Sequence, residues 1–434
     1  MSAESLLLKN AVLLALDPPE VQEADLRIKG AQIAERGPGL APRGDDEVLD
    51  LEGGLVMPGL VNAHTHLYSA LARGMPGPLL APRTFPEILE RIWWRLDRAL
   101  DGESVYLSGL VGAMEAARSG TTLLVDHHAS PGFIRGSLAT LRRAVEEVGL
   151  RSVLCYETTD RNGWEGRDRG IEENVAFLST PSGPLSRAMV GAHASFTLSG
   201  ETLDRLAGAI RETGSSLHVH VGEDLSDVED CRTRYASGLV ERFLKHGLIR
   251  PRTLLAHGVH LRPAEVERAQ AEGAWIAHNP RSNMNNSVGY APTNALQHGA
   301  LGTDGMDADM LAEARAAYLK MREAGRADAV TATLRLLAGG QRLAAEFFGL
   351  PFGPLGVGGP ADLVLLDYRP PTPLRAENLG GHLLFALDRS HVRSVMVAGR
   401  WLMKDRRLLT VDEQAVFARA RKAAAALWAR VQGL

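Results

Sequence analysis

Leu55-Val-Met-Pro-Gly-Leu-Val-Asn-Ala-His-Thr-His66 is an apolar run that opens directly onto two histidines. Residues 55–61 predict a buried strand, and side chains two apart on extended backbone face the same way. His64 and His66 can therefore turn toward one ion. Imidazole nitrogen reaches Zn²⁺ at about 2.0–2.1 Å, and a catalytic site keeps one position open for water. Alone the pair is weak, because two hydrogen-bonded polar side chains leave the same trace. Its weight depends on what the rest of the chain sets beside it.

Seven more short apolar runs follow, at 121–125, 151–156, 188–192, 215–221, 253–256, 274–277 and 299–302. Helical patterns lie between most of them, at 103–118, 136–148 and 200–213, with more over 307–348 after the last run. Alternation of this kind is the pattern of an α/β fold with a parallel sheet under covering helices. An open doubly wound sheet also holds eight strands. A closed (β/α)8 TIM-type barrel is favoured by what ends the runs, because barrel chemistry sits at the C-terminal strand ends. Those ends carry Asp126-His127-His128, Glu157, His193, His220 with Glu223 just beyond, His257, His278-Asn279 and Asp304. Most of the fourteen histidines fall there.

The termini read differently. Strands at 5–16, 25–29 and 32–35, and again at 361–367 and 391–399, are too few at either end to be stable alone. Pairing the two sets gives a small β-sandwich domain. The expected division is 1–56 for its N-terminal half, 57–356 for the barrel, and 357–434 for its C-terminal half with a closing helix at 412–432. A length of 434 residues suits a barrel of about 250 plus such a unit.

Composition removes several function classes. Hydrophobic residues at 45% and charged residues at 23% are ordinary globular values. A net charge of -4 offers no basic surface for nucleic acid. Two isolated cysteines, Cys155 and Cys231, exclude a disulfide framework and a CxxC metal site, and suit a reducing cytoplasm. The first residues lack a basic, long-apolar leader, and no run approaches the roughly 18 apolar residues of a membrane span. A cytoplasmic protein is expected, with no membrane partner.

Within the candidate site, His220 lies nearer its strand end than His218 and is the better ligand, with His218 a hydrogen-bonded residue of the layer below. Glu223 is placed to reach a water or a substrate nitrogen. Its plainer reading is a glutamate favoured at a helix start, and Asp304 has a plain reading as a turn aspartate. Residues 73–95 are long for a βα connection and suit a lid. Trp93 and Trp94 are read as packing rather than as a stacking surface.

At this point the motifs resemble a known family. Val56-Met-Pro-Gly-Leu-Val-Asn-Ala-His-Thr-His66, His220-Val-Gly-Glu223, Ala256-His-Gly-Val-His260, His278-Asn-Pro-Arg-Ser-Asn283 and Leu301-Gly-Thr-Asp304 are similar, in order, to those of the amidohydrolase superfamily. The branch resembled contains metal-dependent deaminases and chlorotriazine hydrolases. Trp93-Trp-Arg-Leu-Asp-Arg-Ala-Leu-Asp101, Asp126-His-His-Ala-Ser-Pro131, Glu157-Thr-Thr-Asp-Arg-Asn162 and Ser282-Asn-Met-Asn-Asn286 further resemble the SsnA-type aminohydrolases.

The resemblance implies one divalent ion, Zn²⁺ or alternatively Fe²⁺, held by His64, His66, His220 and Asp304. It implies that Asp304 takes a proton from an attacking water held by His257, and that Glu223 protonates a ring nitrogen. His193 is implied as a substrate contact, with His127, His128, Glu157 and Arg161 as weaker candidates. The implied reaction is hydrolytic deamination of an amino-substituted purine- or pyrimidine-like heterocycle, a small-molecule substrate. Pairing of barrel helices into a homodimer is implied as well. Two alternatives stay open: a chlorotriazine-type or amide hydrolase on the same site, and a non-catalytic metal-binding scaffold.

Overall fold

The computed structural model describes residues 5–44 and 46–434. Eight parallel strands follow one another around a barrel: β1 (Leu60–Thr65), β2 (Thr121–His128), β3 (Arg151–Thr158), β4 (Val190–Ala194), β5 (Leu217–Val221), β6 (Leu254–His257), β7 (Trp275–His278) and β8 (Gly299–Leu301). The ring closes just beyond β8, where Thr303 N and Asp304 N each donate to the His64 carbonyl at 2.9 Å. Gly302 permits this approach, since an added Cβ there would lie 2.4 Å from Asn279 Oδ1 and 2.9 Å from His64 N. Leu123, Val125, Val153 and Cys155 share a buried cluster with Phe347 and Phe352. Strand alternation then puts His127 and Glu157 on the same inward face, nearer the C-terminal rim.

Covering helices follow the expected pattern. In the helix Ser137–Val148, buried Leu138, Leu141, Ala144, Val145 and Val148 recur at the spacing of a single helical face. Gly200–Thr213 begins where the Ser199 side chain accepts from Thr202 N, and Gly102–Arg118 begins at a capping box built on Asp101. The closing helix Glu413–Gly433 packs on Gly102–Arg118. Among the described residues, no helix is long and apolar enough to cross a membrane.

Both termini join in a second sheet, whose order is Arg407–Leu408, Arg400–Lys404, Val392–Val397, Leu363–Leu366, Leu55–Pro58, Ser5–Leu16, Pro19–Lys29 and Gln32–Gly37. The expected sandwich is realised as one hydrogen-bonded sheet folded over its own core. Ser5–Leu16 bends at a bulge between Leu8 and Ala11, where Asn10 takes φ 52°. The outer strand returns to the segment before Leu363, with Ile33 N donating to Gly359 O at 2.9 Å. Leu8, Leu13, Leu26, Ile33, Val56, Leu363 and Met396 fill the interior.

The run expected as the first barrel strand divides. Residues 55–58 pair with Leu363–Leu366 in the terminal sheet, and only after Gly59 does the chain enter β1. A Cβ at Gly59 would lie 2.1 Å from Thr122 Oγ1, so the crossing passes hard against β2. An apolar run buried in two consecutive sheets shows one unbroken hydrophobic signal, which is why it reads as one strand.

A buried ion pair ties the two parts together at the start of β3. Arg151 donates through Nε to Asp362 Oδ2 (2.7 Å) and through Nη2 to Oδ1 (3.0 Å), and Ala398 N also donates to Oδ1 at 2.8 Å. Both side chains are buried. Removing one partner leaves the other charge uncompensated, at a cost of about 3–5 kcal/mol. Asp362→Ala is therefore expected to lower unfolding stability by that amount, measured by denaturant titration. Retention of wild-type stability would show that the pair does not couple the sheet to the barrel.

Candidate active site

At the C-terminal rim of the barrel, four imidazoles from three strands turn toward Asp304. His66 Nε2 lies 2.9 Å and His64 Nε2 3.4 Å from Asp304 Oδ1, and His257 Nε2 lies 4.0 Å from Oδ2. His220 Nε2 is 3.2 Å from His66 Nε2. Each ring is turned by its other nitrogen. His66 Nδ1 bonds the His127 carbonyl (2.6 Å), His220 Nδ1 the His193 carbonyl (2.8 Å), His257 Nδ1 the Asn283 Oδ1 (2.8 Å) and His64 Nδ1 the His218 Nε2 (2.9 Å). His257 and Asp304 both hold left-handed backbone, φ 75° and 56°, a conformation that non-glycine residues adopt mainly where the surrounding fold imposes it.

These donors fit a divalent ion. His64 Nε2 and His257 Nε2 are buried without any hydrogen-bond partner, which is costly unless something ligates them. Donor atoms of His64, His220, His257 and Asp304 all lie within 4.8 Å of one another, and those of His66, His127 and His220 form an overlapping group. Burial pushes the rings of His64 and His220 down toward the neutral, ligating form. His66 goes the other way. Burial opposes its charge, yet the Asp304 carboxylate holds it up to about 9, so the local field already favours a cation. Neutral imidazoles with one carboxylate are a donor set that Zn²⁺ accepts.

A pocket opens above this cluster. Its floor includes His66, His220, Asp304 and Glu223, and its walls include Tyr68, Phe85, Trp93, Trp94, Glu157, Arg161 and His193. Glu223 is largely enclosed, and desolvation pushes its carboxyl up to about 7 despite the nearby His257 ring at 3.5 Å. It is thus a group able to give up a proton near neutrality. His193 bonds Thr197 Oγ1 through Nδ1 (2.7 Å), and its ring lies 6.1 Å from that of Trp94.

All six residues expected in metal or catalytic roles meet here, and His193 sits on the pocket wall. The geometry brings His257 into one donor group with His64, His220 and Asp304, and sets His66 in an overlapping one. Of the weaker candidates, Glu157 and Arg161 line the pocket, where Arg161 also pairs with Asp97 at 2.8 Å. His128 instead bonds Ser130 Oγ (2.8 Å) away from the pocket lining, and His260 donates to the Val288 carbonyl (2.7 Å).

Other contributors were given no site role from the sequence. Trp93 and Trp94, read as packing, both face the pocket as well, on the helical turns Leu89–Trp93 and Trp94–Ala99 of the expected lid. Asp97 lies four residues after Trp93, a spacing that puts both on one helical face. From the helix Pro280–Asn285 and its end, Ser282 Oγ donates to Asp304 Oδ2, Asn283 holds His257, and Asn286 Nδ2 donates to Glu223 Oε1 at 3.3 Å. The i, i+1, i+4 spacing of these polar residues was the available signal.

The sequence profile of the amidohydrolase family matches residues 55–402, from the last strand before the barrel to the C-terminal part of the second sheet. The chain belongs to the amidohydrolase family. A 5'-deoxyadenosine deaminase of Methanosarcina mazei is 31% identical over 439 residues, covering 98% of this chain and 99% of that one. A 5-methylthioadenosine/S-adenosylhomocysteine deaminase of Desulforudis audaxviator is 32% identical, over 96% and 98% of the two chains. Among solved structures, a zinc-bound adenosine deaminase from Xanthomonas campestris superposes with a TM-score of 0.84 at 24% identity, covering 99% of each chain. A zinc complex of an atrazine chlorohydrolase from Arthrobacter aurescens gives 0.82 at 21% identity, over 96% and 100%. At that identity the structural likeness speaks for the fold. For an amidohydrolase, the cluster at the barrel rim is the place where chemistry is expected.

Proposed function

We propose that this amidohydrolase removes the exocyclic amine of an adenine-like purine carried on a nucleoside, using water and releasing ammonia. The observation that carries the reading is the placement of Glu223, a largely enclosed carboxyl held up to about 7, beside the imidazole–Asp304 cluster on the pocket floor. Attack on an amidine carbon requires a proton on the adjacent ring nitrogen, and Glu223 is the group positioned to give it. The deaminase relatives named above support the choice of ring.

His64, His66, His220 and Asp304 would hold one divalent ion, with zinc proposed and Fe²⁺ as the alternative. Such an ion supplies Lewis acidity that draws the pKa of water toward neutrality. Asp304, whose Oδ2 accepts from Ser282, takes the proton of the attacking water. His257, turned by Asn283, presents Nε2 to that water. Glu223 protonates the ring nitrogen, and a proton passed to the amine lets ammonia leave. Aromatic walls at Trp93, Trp94, Tyr68 and Phe85 suit a flat heterocycle, and His193 is proposed to contact it. The SsnA-type resemblance and a cytoplasmic setting belong to the same reading, the latter in keeping with two buried, unpaired cysteines.

The test is ammonia release from zinc-loaded and iron-loaded protein with 5'-deoxyadenosine, 5'-methylthioadenosine, adenosine, guanine, cytosine and a chlorotriazine. Ammonia from an adenine nucleoside is the expected result. Chloride from the triazine with no ammonia from any purine would select the chlorohydrolase alternative. Metal binding with no turnover anywhere would select the scaffold.

A further inference from the structure

Three of the imidazoles facing Asp304 have their tautomer set by an oxygen acceptor: the carbonyls of His127 and His193, and Asn283 Oδ1. An acceptor at Nδ1 places the proton there and leaves Nε2 its lone pair. His64 is different. Its Nδ1 meets another imidazole nitrogen, His218 Nε2, which donates or accepts according to its own tautomer. Were His218 the donor, the proton of His64 would move to Nε2, and that nitrogen could not ligate.

The layer below offers an acceptor that gives the contact a direction. His218 Nδ1 lies 3.6 Å from Cys155 Sγ, and Cys155 Sγ lies 3.5 Å from the Asp126 backbone oxygen. Both Cys155 and His218 are fully buried, on inward positions of β3 and β5. The Asp126 carbonyl can only accept, so we assign the single thiol proton to that contact. The sulfur then accepts from His218 Nδ1. His218 Nε2, left with its lone pair, accepts from His64 Nδ1. With the thiol proton so assigned the later links follow, and burial, which pushes the Cys155 thiol up, keeps the proton on sulfur.

We propose that Cys155 and His218 are positioning residues: with the Asp126 carbonyl they form a one-way hydrogen-bond chain that fixes His64 in its metal-binding tautomer. The inference rests on the metal site proposed above and deepens it. It gives a role to a cysteine and a histidine that the deamination steps leave unused.

Imidazole ¹⁵N spectra of the wild-type protein, with and without metal, read the chain directly. The proton of His218 is expected on Nδ1 in both states; a proton on Nε2 in the metal-free protein overturns the proposal. Zinc dissociation into a chelator gives an independent reading. Outer contacts of metal-binding histidines are typically worth about 10–100-fold in metal affinity, so Cys155→Ala is expected to release zinc about 10-fold faster and His218→Leu up to about 100-fold faster. Cys155→Ser, which keeps one donor and one acceptor, is expected to restore most of the retention, and the cobalt absorption spectrum should change in Cys155→Ala and return in Cys155→Ser. Unchanged release and an unchanged cobalt spectrum in Cys155→Ala overturn the proposal. Should a variant fail to fold, the wild-type spectra still decide it. Wild-type protein that takes up no divalent ion would overturn the metal site instead, while the metal-free imidazole spectra still decide the chain.

Discussion

Glu223→Gln is expected to keep its metal and lose turnover by about 10²–10⁴-fold, the usual worth of a positioned general acid. The substitution is close to isosteric. Because burial holds the Glu223 carboxyl up to about 7, near neutrality much of it is already uncharged, so glutamine alters the local field little. The contact from Asn286 to Oε1 has an equivalent oxygen in the amide. What disappears is the transferable proton. The loss is therefore expected in kcat, with KM within a few-fold, and steady-state kinetics beside metal analysis separates the two. Wild-type kcat in this variant would remove Glu223 from the chemistry.

His220→Ala acts on the other half of the site. His220 presents Nε2 to the cluster because its Nδ1 is tied to the His193 carbonyl at 2.8 Å. Alanine deletes a ligand rather than one of its supports, so metal affinity should fall by more than the roughly 100-fold upper range for lost outer contacts. The His193 carbonyl also loses its partner, which adds about 1–3 kcal/mol of instability and should be visible in a thermal melt. Purified protein should carry far less than one equivalent of metal. Stoichiometric zinc in this variant would remove His220 from the ligand set and point to His257, whose donor atom lies in the same tight group.

The deletion of His220 also separates two ways of building such a site. Its neighbour His218 lies one layer deeper on the same strand and touches His64 rather than the pocket. Sequence alternation placed both residues inward, and proximity to the strand end ranked His220, which lines the pocket, above His218, which does not. No pattern along the chain shows that His218 rests on Cys155, because that contact joins β3 to β5 across the interior of the barrel.

Helix 280–285 shows the same limit. Ser282, Asn283 and Asn286 carry no sign along the chain of what they touch, yet they hold Asp304, His257 and Glu223 respectively. Trp93 and Trp94 carry one apolar signal whether they face a core or a pocket, and here they serve both. The run at 55–61 hides a change of sheet at Gly59, because burial in either sheet selects the same residues.

What the sequence determined by itself was local and periodic. Apolar runs set the strands, the 3.6-residue repeat set the covering helices, and the polar residues ending each run marked the rim where chemistry would sit. Strand alternation then gave His64 and His66 a common direction. What only the tertiary structure decided was which side chains meet: the closure of His64 onto Asp304, the entry of His257 into the donor group, and the buried partner of each ring. Side-chain direction follows from the bonds of a single strand. Convergence on one point requires the curvature and closure of all eight.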